Sequence, residues 1–243
     1  MVVARLGARL RALALPSLDA YVAHLRAPGG RDELVHFVEA ISIHHTAFFR
    51  EEAHFTELAE ALASWAGKGR RSFRIWSAAC SSGEEPYSIA ITAREALGER
   101  SSDMKVLATD ISLQVLDRAA RGVYAGSRLK AVPEPLRRRY FEACPGSRDD
   151  LFTVSESLRK HLVFRRVNLA QTPFPLRGPL DAVFCRNVMI YFDRSVRQGI
   201  VSEVERLLRP GGLFFVGHTE NLNGLETTLL RRAPSVYQRA EAA

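Results

Sequence analysis

Cysteine is scarce in this 243-residue chain: Cys80, Cys144 and Cys185 stand far apart and form no CxxC pair. That spacing excludes a disulfide framework and a cysteine-based zinc site, and it fits a reducing compartment, hence the cytoplasm. No run approaches the roughly 18 apolar residues of a membrane span. The N-terminal MVVARLGARLRALALPSL is broken by Arg5, Arg9 and Arg11, so it forms no signal-peptide core. The glycine fingerprint GxGxxG, which lets a pyrophosphate approach the backbone, is missing. The seven histidines have no ligand spacing, and no metal is expected. Acidic residues are the minority, 27 against 34 lysines and arginines. The net charge of +7 suits an anionic partner without selecting one.

What is present reads as helices followed by strands alternating with helices. Val2, Val3, Leu6, Leu10 and Leu13 recur at helical spacing over residues 2–14, and Pro16 ends that helix. Helices from Leu18 to about Leu25 and from Asp32 to about Ile43 complete a small unit, too short to stand alone. A further helix covers about 51–66. FRIWSAAC (73–80), MKVLATD (104–110), LVFRRVNL (162–169) and the strand at 181–187 alternate with helices at 85–97, 112–120 and 194–208. This order predicts an α/β fold, a doubly wound, mostly parallel sheet. The turn RPGG (209–212), the strand GLFFVGHTE (212–220) and VYQR (236–239) predict a closing antiparallel hairpin. Residues 122–161, with Pro133, Pro135 and Pro145, break the alternation and read as an inserted subdomain with a helix and a short antiparallel ribbon. The expected division is a small N-terminal helical domain, 1–45, and a larger domain, 46–243, that carries the insertion.

Three junctions carry chemistry. The run DAVFCRNVMIYF (181–192) starts as an apolar strand and ends in Arg186 and Asn187, where a parallel sheet holds its ligands. The first strand-to-helix junction, SAACSSGEEPYS (77–88), offers Glu84 and Glu85. Two carboxylates there either serve the helix dipole or receive a cationic group such as an ammonium; they would repel phosphate. Asp110 ends the second strand, placed to accept hydrogen bonds from ribose hydroxyls, while Ser112 is the better helix cap. An acid for an ammonium, an acid for a ribose and no phosphate loop describe S-adenosylmethionine better than NAD or ATP.

Together, TAFFRE, WSAACSSGEEPYSIAI, ATDIS, VNL, FCRNVMIYFDR and LRPGGLFFVGHTENL resemble, in order and spacing, the CheR family of chemotaxis receptor methyltransferases. The resemblance covers nearly the whole chain. It implies a sheet of the S-adenosylmethionine-dependent methyltransferase type and methyl esterification of glutamates on the helical bundle of chemoreceptors. Its cofactor contacts fall on His44, Thr46, Arg50, Glu85, Asp110, Asn168, Leu169, Arg186 and Asn187. Arg50 and Tyr191 fall where the family acts on the acceptor and the transferred methyl. The family's receptor-facing basic helix falls on Arg5, Arg9 and Arg11. The chain begins directly on that helix, and relative to the family a helix of this unit is expected to be missing. Relatives that grip a receptor's tail peptide use a glycine-rich loop; here SRDDLFTVSESL (147–158) has only Gly146 beside it, so tail binding is expected to be weak or absent.

The implied chemistry is spare. A glutamate is ionised near neutral pH and needs no general base. Catalysis is then mostly alignment of carboxylate, methyl and sulfur. Two other readings compete. Nucleic-acid methylation would suit the charge, but amino-methylating enzymes of that class place an Asn/Asp-Pro-Pro-aromatic run after this strand, where the chain reads NVMIY, so no nucleic acid is expected. A non-catalytic scaffold would bind cofactor or receptor alone, against which the intact Arg50, Glu85, Asp110, Asn187 and Tyr191 argue.

Overall fold

The computed structural model describes residues 2–42, 44–144, 146 and 150–241. Three helices come first: α1 (Val2–Ala12), α2 (Leu18–Arg26) and α3 (Arg31–Ile41). They pack around the buried Leu6 and Tyr21. Ser17, just after Pro16, caps α2 by accepting from the Ala20 amide at 3.1 Å. Their polar joint is Glu33, held at 2.9 and 2.6 Å by both forks of Arg9 and at 2.6 Å by the Tyr21 hydroxyl. Hydrogen bonds from Arg9, aided by Tyr21, outweigh burial and hold the Glu33 carboxyl at about 2. Arg5 donates to the carbonyls of Ile41 and Ser42, where α3 runs out of partners of its own. Ile43, the expected end of α3, lies outside the described residues.

The chain then runs through α4 (Ala53–Gly67), β1 (Ser72–Ala78), α5 (Glu84–Leu97), β2 (Asp103–Asp110) and α6 (Leu113–Arg121). After the insertion come β6 (Leu162–Arg166), β7 (Leu180–Cys185), α9 (Arg194–Leu207), β8 (Leu208–Val216), β9 (Leu230–Ala233) and β10 (Val236–Gln238). The sheet order is β6-β2-β1-β7-β8-β10-β9, parallel from β6 to β8 and antiparallel thereafter. Alternate residues feed two cores, as a pleated strand requires. Ile75 and Phe184 meet Phe55, Leu58 and Leu62 of α4 and Ile89 of α5 on one face. Trp76, Val183 and Cys185 meet Val201 and Val204 of α9 on the other. The expected mostly parallel, doubly wound sheet is therefore present.

Three details differ from expectation. RPGG is part of β8, where Gly211 takes φ 71 and the register against β7 slips between Leu180 and Ala182. Glycine accepts that positive φ, so the strand continues through a bulge instead of turning. The closing hairpin is β9–β10, with β10 inserted between β8 and β9. β9 escaped the sequence reading because Leu230, Arg231 and Arg232 are all exposed, an edge strand with no apolar alternation. In the insertion, β3 (Val123–Ala125), β4 (Phe141–Ala143) and β5 (Leu151–Val154) form a three-stranded antiparallel sheet, order β3-β5-β4, where a ribbon was expected. Its helices are α7 (Glu134–Tyr140) and α8 (Glu156–Arg159). Residues 147–149 of the segment expected to give weak or no tail binding, and residue 145 before it, lie outside the described residues.

Candidate active site

The order β6-β2-β1-β7-β8 reverses its direction of winding between β1 and β7. A crevice opens at the carboxyl ends of strands at such a point. A cleft of about 540 Å³ lies there, and its lining includes His44, Thr46, Arg50, Glu85, Asp110, Asn168, Leu169, Arg186, Asn187 and Tyr191. Every residue expected to touch cofactor or acceptor thus borders one cavity. Val38 and Ile41 of α3 close one side, so the helical unit forms a wall of the site. Glu39 fastens that wall by accepting from the Gln114 amide at 3.1 Å at the start of α6.

The loop from β1 to α5 is bent to serve Asp110. Ala79, Ser81 and Gly83 all take positive φ. At Gly83 a side chain is also sterically excluded, because a Cβ would lie 2.7 Å from the Tyr124 hydroxyl. This path delivers the Ser81 amide to Asp110 Oδ2 at 2.9 Å, while the Ser112 amide reaches Oδ1 at 3.0 Å. Ser112 itself caps α6 through Val115 at 3.2 Å, so Asp110 is left to the cleft. Burial pushes the Asp110 carboxyl up, against the two amides that favour its charge. Each oxygen keeps a lone pair for an incoming hydroxyl.

Arg186 is the hub, with a side chain only 1% exposed. Its Nη1 donates to Glu85 at 3.0 Å, its Nη2 to the Arg50 carbonyl, and its Nη2 also lies 3.0 Å from Glu51 Oε2. Glu85 also accepts from the Ser77 hydroxyl at 2.7 Å; burial raises its carboxyl, partly offset by Arg186. The glutamate pair at 84–85 therefore divides. Glu85 faces the cleft with its charge balanced by Arg186, whereas Glu84 is buried against Arg128 and the Ser82 hydroxyl. One carboxylate of the pair, Glu85, is available to a cation, the one that the resemblance names as a cofactor contact.

At the mouth, Tyr191 is 56% exposed, and Arg50 is tied by Nη1 to the His45 carbonyl at 3.0 Å. Asn168 turns its Oδ1 to the Ala170 amide at 3.0 Å, which leaves its NH₂ to other acceptors. His44 borders the cleft with a buried, unpartnered Nε2. An orphan donor or acceptor, a hydroxyl-ready acid and an acid beside an arginine fit a ligand with a polar base, a ribose and an amino-acid end. Of the three arginines expected to face a receptor, Arg5 and Arg9 are engaged inside the helical unit, and Arg11 stays exposed.

Two residues absent from the expected set organise this site. Glu51, at φ 61, contacts Arg186 and accepts from Asn187 Nδ2 at 3.3 Å. Burial opposes the charge of Glu51, but Arg186, helped by the Asn187 side chain and the His218 backbone, holds its carboxyl down. Glu220 is buried and gathers the amides of Asn187 (2.7 Å), Gly217 (2.6 Å) and Ile190 (3.2 Å). It fixes the turn that carries Asn187, at φ 57, and Tyr191. Its place in GHTENL was visible, but its partners sit some thirty residues earlier and cannot be read from spacing.

Residues 44–236 match the family described as CheR methyltransferase, SAM binding domain. The chain belongs to this family. It is 47% identical over 221 residues to chemotaxis protein methyltransferase 2 of Pseudomonas aeruginosa, covering 91% of this chain and 78% of that one. It is 42% identical over 237 residues to the chemotaxis protein methyltransferase of Salmonella typhimurium, covering 98% and 81%. With the protein of that name from Escherichia coli (strain K12) the identity is 40% over 237 residues, covering 98% and 82%. This CheR-family chain is an S-adenosylmethionine-dependent methyltransferase, and among its described residues no helix is long and apolar enough to cross a membrane.

Proposed function

We propose that this CheR-family enzyme methyl-esterifies glutamate side chains on the cytoplasmic helical bundle of chemoreceptors. The observation that carries the reading is the single cleft in which Asp110, Glu85 and Arg186 stand deep and Arg50 and Tyr191 stand near the mouth. Asp110 is set to receive ribose hydroxyls, and Asn168 and Leu169 to border the base. Glu85 receives the ammonium, with Arg186 limiting its charge and holding its orientation. The bound cofactor supplies a methyl already activated by its sulfonium. Arg50, anchored through its carbonyl to Arg186, orients the acceptor carboxylate by a charge-assisted hydrogen bond. Tyr191 donates a hydrogen bond at the rim. No residue has to take a proton, because the acceptor arrives ionised.

Receptor recognition in this reading runs through Arg11 and the rim of the cleft, and is independent of a receptor tail peptide. No metal and no nucleic acid take part in the transfer. Labelled methyl should pass from S-adenosylmethionine to a receptor cytoplasmic fragment and leave as volatile methanol in mild alkali. Alkali-stable label would exclude a carboxyl ester and overturn the reading. Binding of the cofactor with no transfer to any receptor fragment would favour a scaffold. Tight association with a receptor C-terminal peptide in a titration would overturn the tail independence alone.

A further inference from the structure

Glu51, His54 and His218 come from the turn before α4, from α4 itself and from the turn after β8, and they converge beside Arg186, outside the lining of the cleft. Their ligand atoms all lie within 4.8 Å of one another. His54 is 1% exposed, and neither of its ring nitrogens has a hydrogen-bond partner among the described residues. Glu51 Oε2 is ion-paired with Arg186 Nη2 at 3.0 Å but has no hydrogen-bond partner among the described residues. Leaving the two His54 nitrogens buried and unused is unfavourable, and a ligand that takes a lone pair there recovers that cost.

We infer that these three residues form a binding site for a zinc-class dication, and that filling it slows methyl transfer by drawing Glu51 away from Arg186 and Asn187. Two histidines and a glutamate are a donor set that zinc accepts, with bond lengths of about 2.0–2.2 Å and hence donors about 3.4 Å apart in a tetrahedron. His54 Nδ1 already lies 3.5 Å from Glu51 Oε2, and His218 Nε2 lies 3.9 Å from it. The His218 side chain is 53% exposed, so it has room to close that gap and gives the ion a route from solvent. Hard cations are disfavoured, because calcium or magnesium would want more oxygens than the single carboxylate offers.

The neighbouring guanidinium sets the strength and the consequence. Arg186 repels a dication, so the affinity is that of a regulatory ion, in the micromolar range, and not that of a structural one. Binding also competes for the carboxylate that helps hold Arg186 and Asn187, both of which border the cleft. Metal and catalytic geometry are thereby coupled through one side chain.

The test is calorimetric titration of the full chain with Zn²⁺ in the absence of S-adenosylmethionine, beside Co²⁺ titration read by visible absorption. One ion per chain is expected, with an intense four-coordinate cobalt band. His218→Asn, at a half-exposed position that leaves the core intact, should weaken binding at least about tenfold and lose that band. Unchanged affinity in His218→Asn would place the ion elsewhere, and no stoichiometric binding to the wild-type chain would remove the site; either result overturns the inference. The coupling is read separately: saturating Zn²⁺ should slow wild-type transfer several-fold and spare His218→Asn, each relative to its own rate in chelator. Specific binding that leaves the wild-type rate untouched would overturn the coupling. The binding outcomes do not depend on the identity of the receptor, since they need no acceptor; only the coupling arm rests on the proposed methyl transfer.

Discussion

The two ends of β7 both hold buried carboxylates against arginines, yet one end is sealed and the other is open. At the amino end, the Asp181 carboxylate is fully buried and both its oxygens are met, by the Arg74 amide at 2.7 Å and by Arg209 Nε at 2.7 Å, with Arg70 Nε 2.6 Å away; the atoms left without a hydrogen-bond partner there, among the described residues, are on the arginines, at Arg70 Nε and Arg209 Nη2. Five residues on, the polarity is inverted, with one arginine, Arg186, shared between Glu85 and Glu51, and among the described residues orphan atoms remain at Arg186 Nε, Glu51 Oε2 and His54. Saturation suits a joint that must never change. Incomplete pairing suits a place where ligands arrive, because unsatisfied polar atoms are costly until something binds. Function here is marked by the acceptors left unused, a carboxylate oxygen and an imidazole, more than by the number of charges.

That contrast can be broken by substitution. Asp181→Asn leaves two arginines facing a neutral group and should cost about 3 kcal/mol, read as a fall in the urea midpoint, with cofactor affinity of the folded fraction unchanged. Arg186→Met should do the reverse: methyl transfer falls by about two orders of magnitude or more, while the urea midpoint moves less than in Asp181→Asn, because the cleft admits water to Glu85. Glu220→Gln can keep its carbonyl on the amides of Asn187 and Gly217 only by turning its NH₂ toward the Ile190 amide, donor against donor. The expected loss is about tenfold in kcat at saturating S-adenosylmethionine, with little change in cofactor affinity.

Acid gives a further test, in the helical unit. The folded-state pKa of Glu33 lies near 2, below its ordinary 4.5, so its pairing stabilises fully above 4.5 and is lost as pH falls from there toward 2. About 2 kcal/mol should disappear across that window in wild type, allowing for the partly exposed Arg9, and Glu33→Gln should flatten the dependence. The smallest effect belongs to the exposed arginine. Arg11→Glu should raise the receptor KM by about two- to threefold at low salt, and added salt should erase the difference.

Much of the fold was legible because buried parallel strands are continuous apolar runs and their polar tips are abrupt. DAVFCRN and KVLATD announce both a strand and the end where a ligand sits, and each of those tips borders the cleft. The inserted sheet and β9 were harder: three- and four-residue strands, exposed on at least one side, carry too few alternations to separate from loop. Spacing also placed Arg5 and Arg9 on a polar helical face but could not show that Glu33 and the end of α3 would meet them. Glu51, His54, His218 and Glu220 escaped for the same reason. Their partners lie across the fold, and only tertiary packing gives them a common address.

The sealed end of β7 carries its own reporter. The chain has two tryptophans, and Trp65 lies beneath the Arg209 guanidinium, 4.3 Å from ring centre to charge, while Trp76 is fully buried in β1 with its Nε1 on Thr109. Loosening of Asp181 frees Arg209 and uncovers one indole, yet leaves the other in the dark interior until the sheet itself opens. Native emission should therefore resolve two melting events in a single unlabelled sample, the first marking the hinge of the ion cluster and the second the floor of the catalytic cleft.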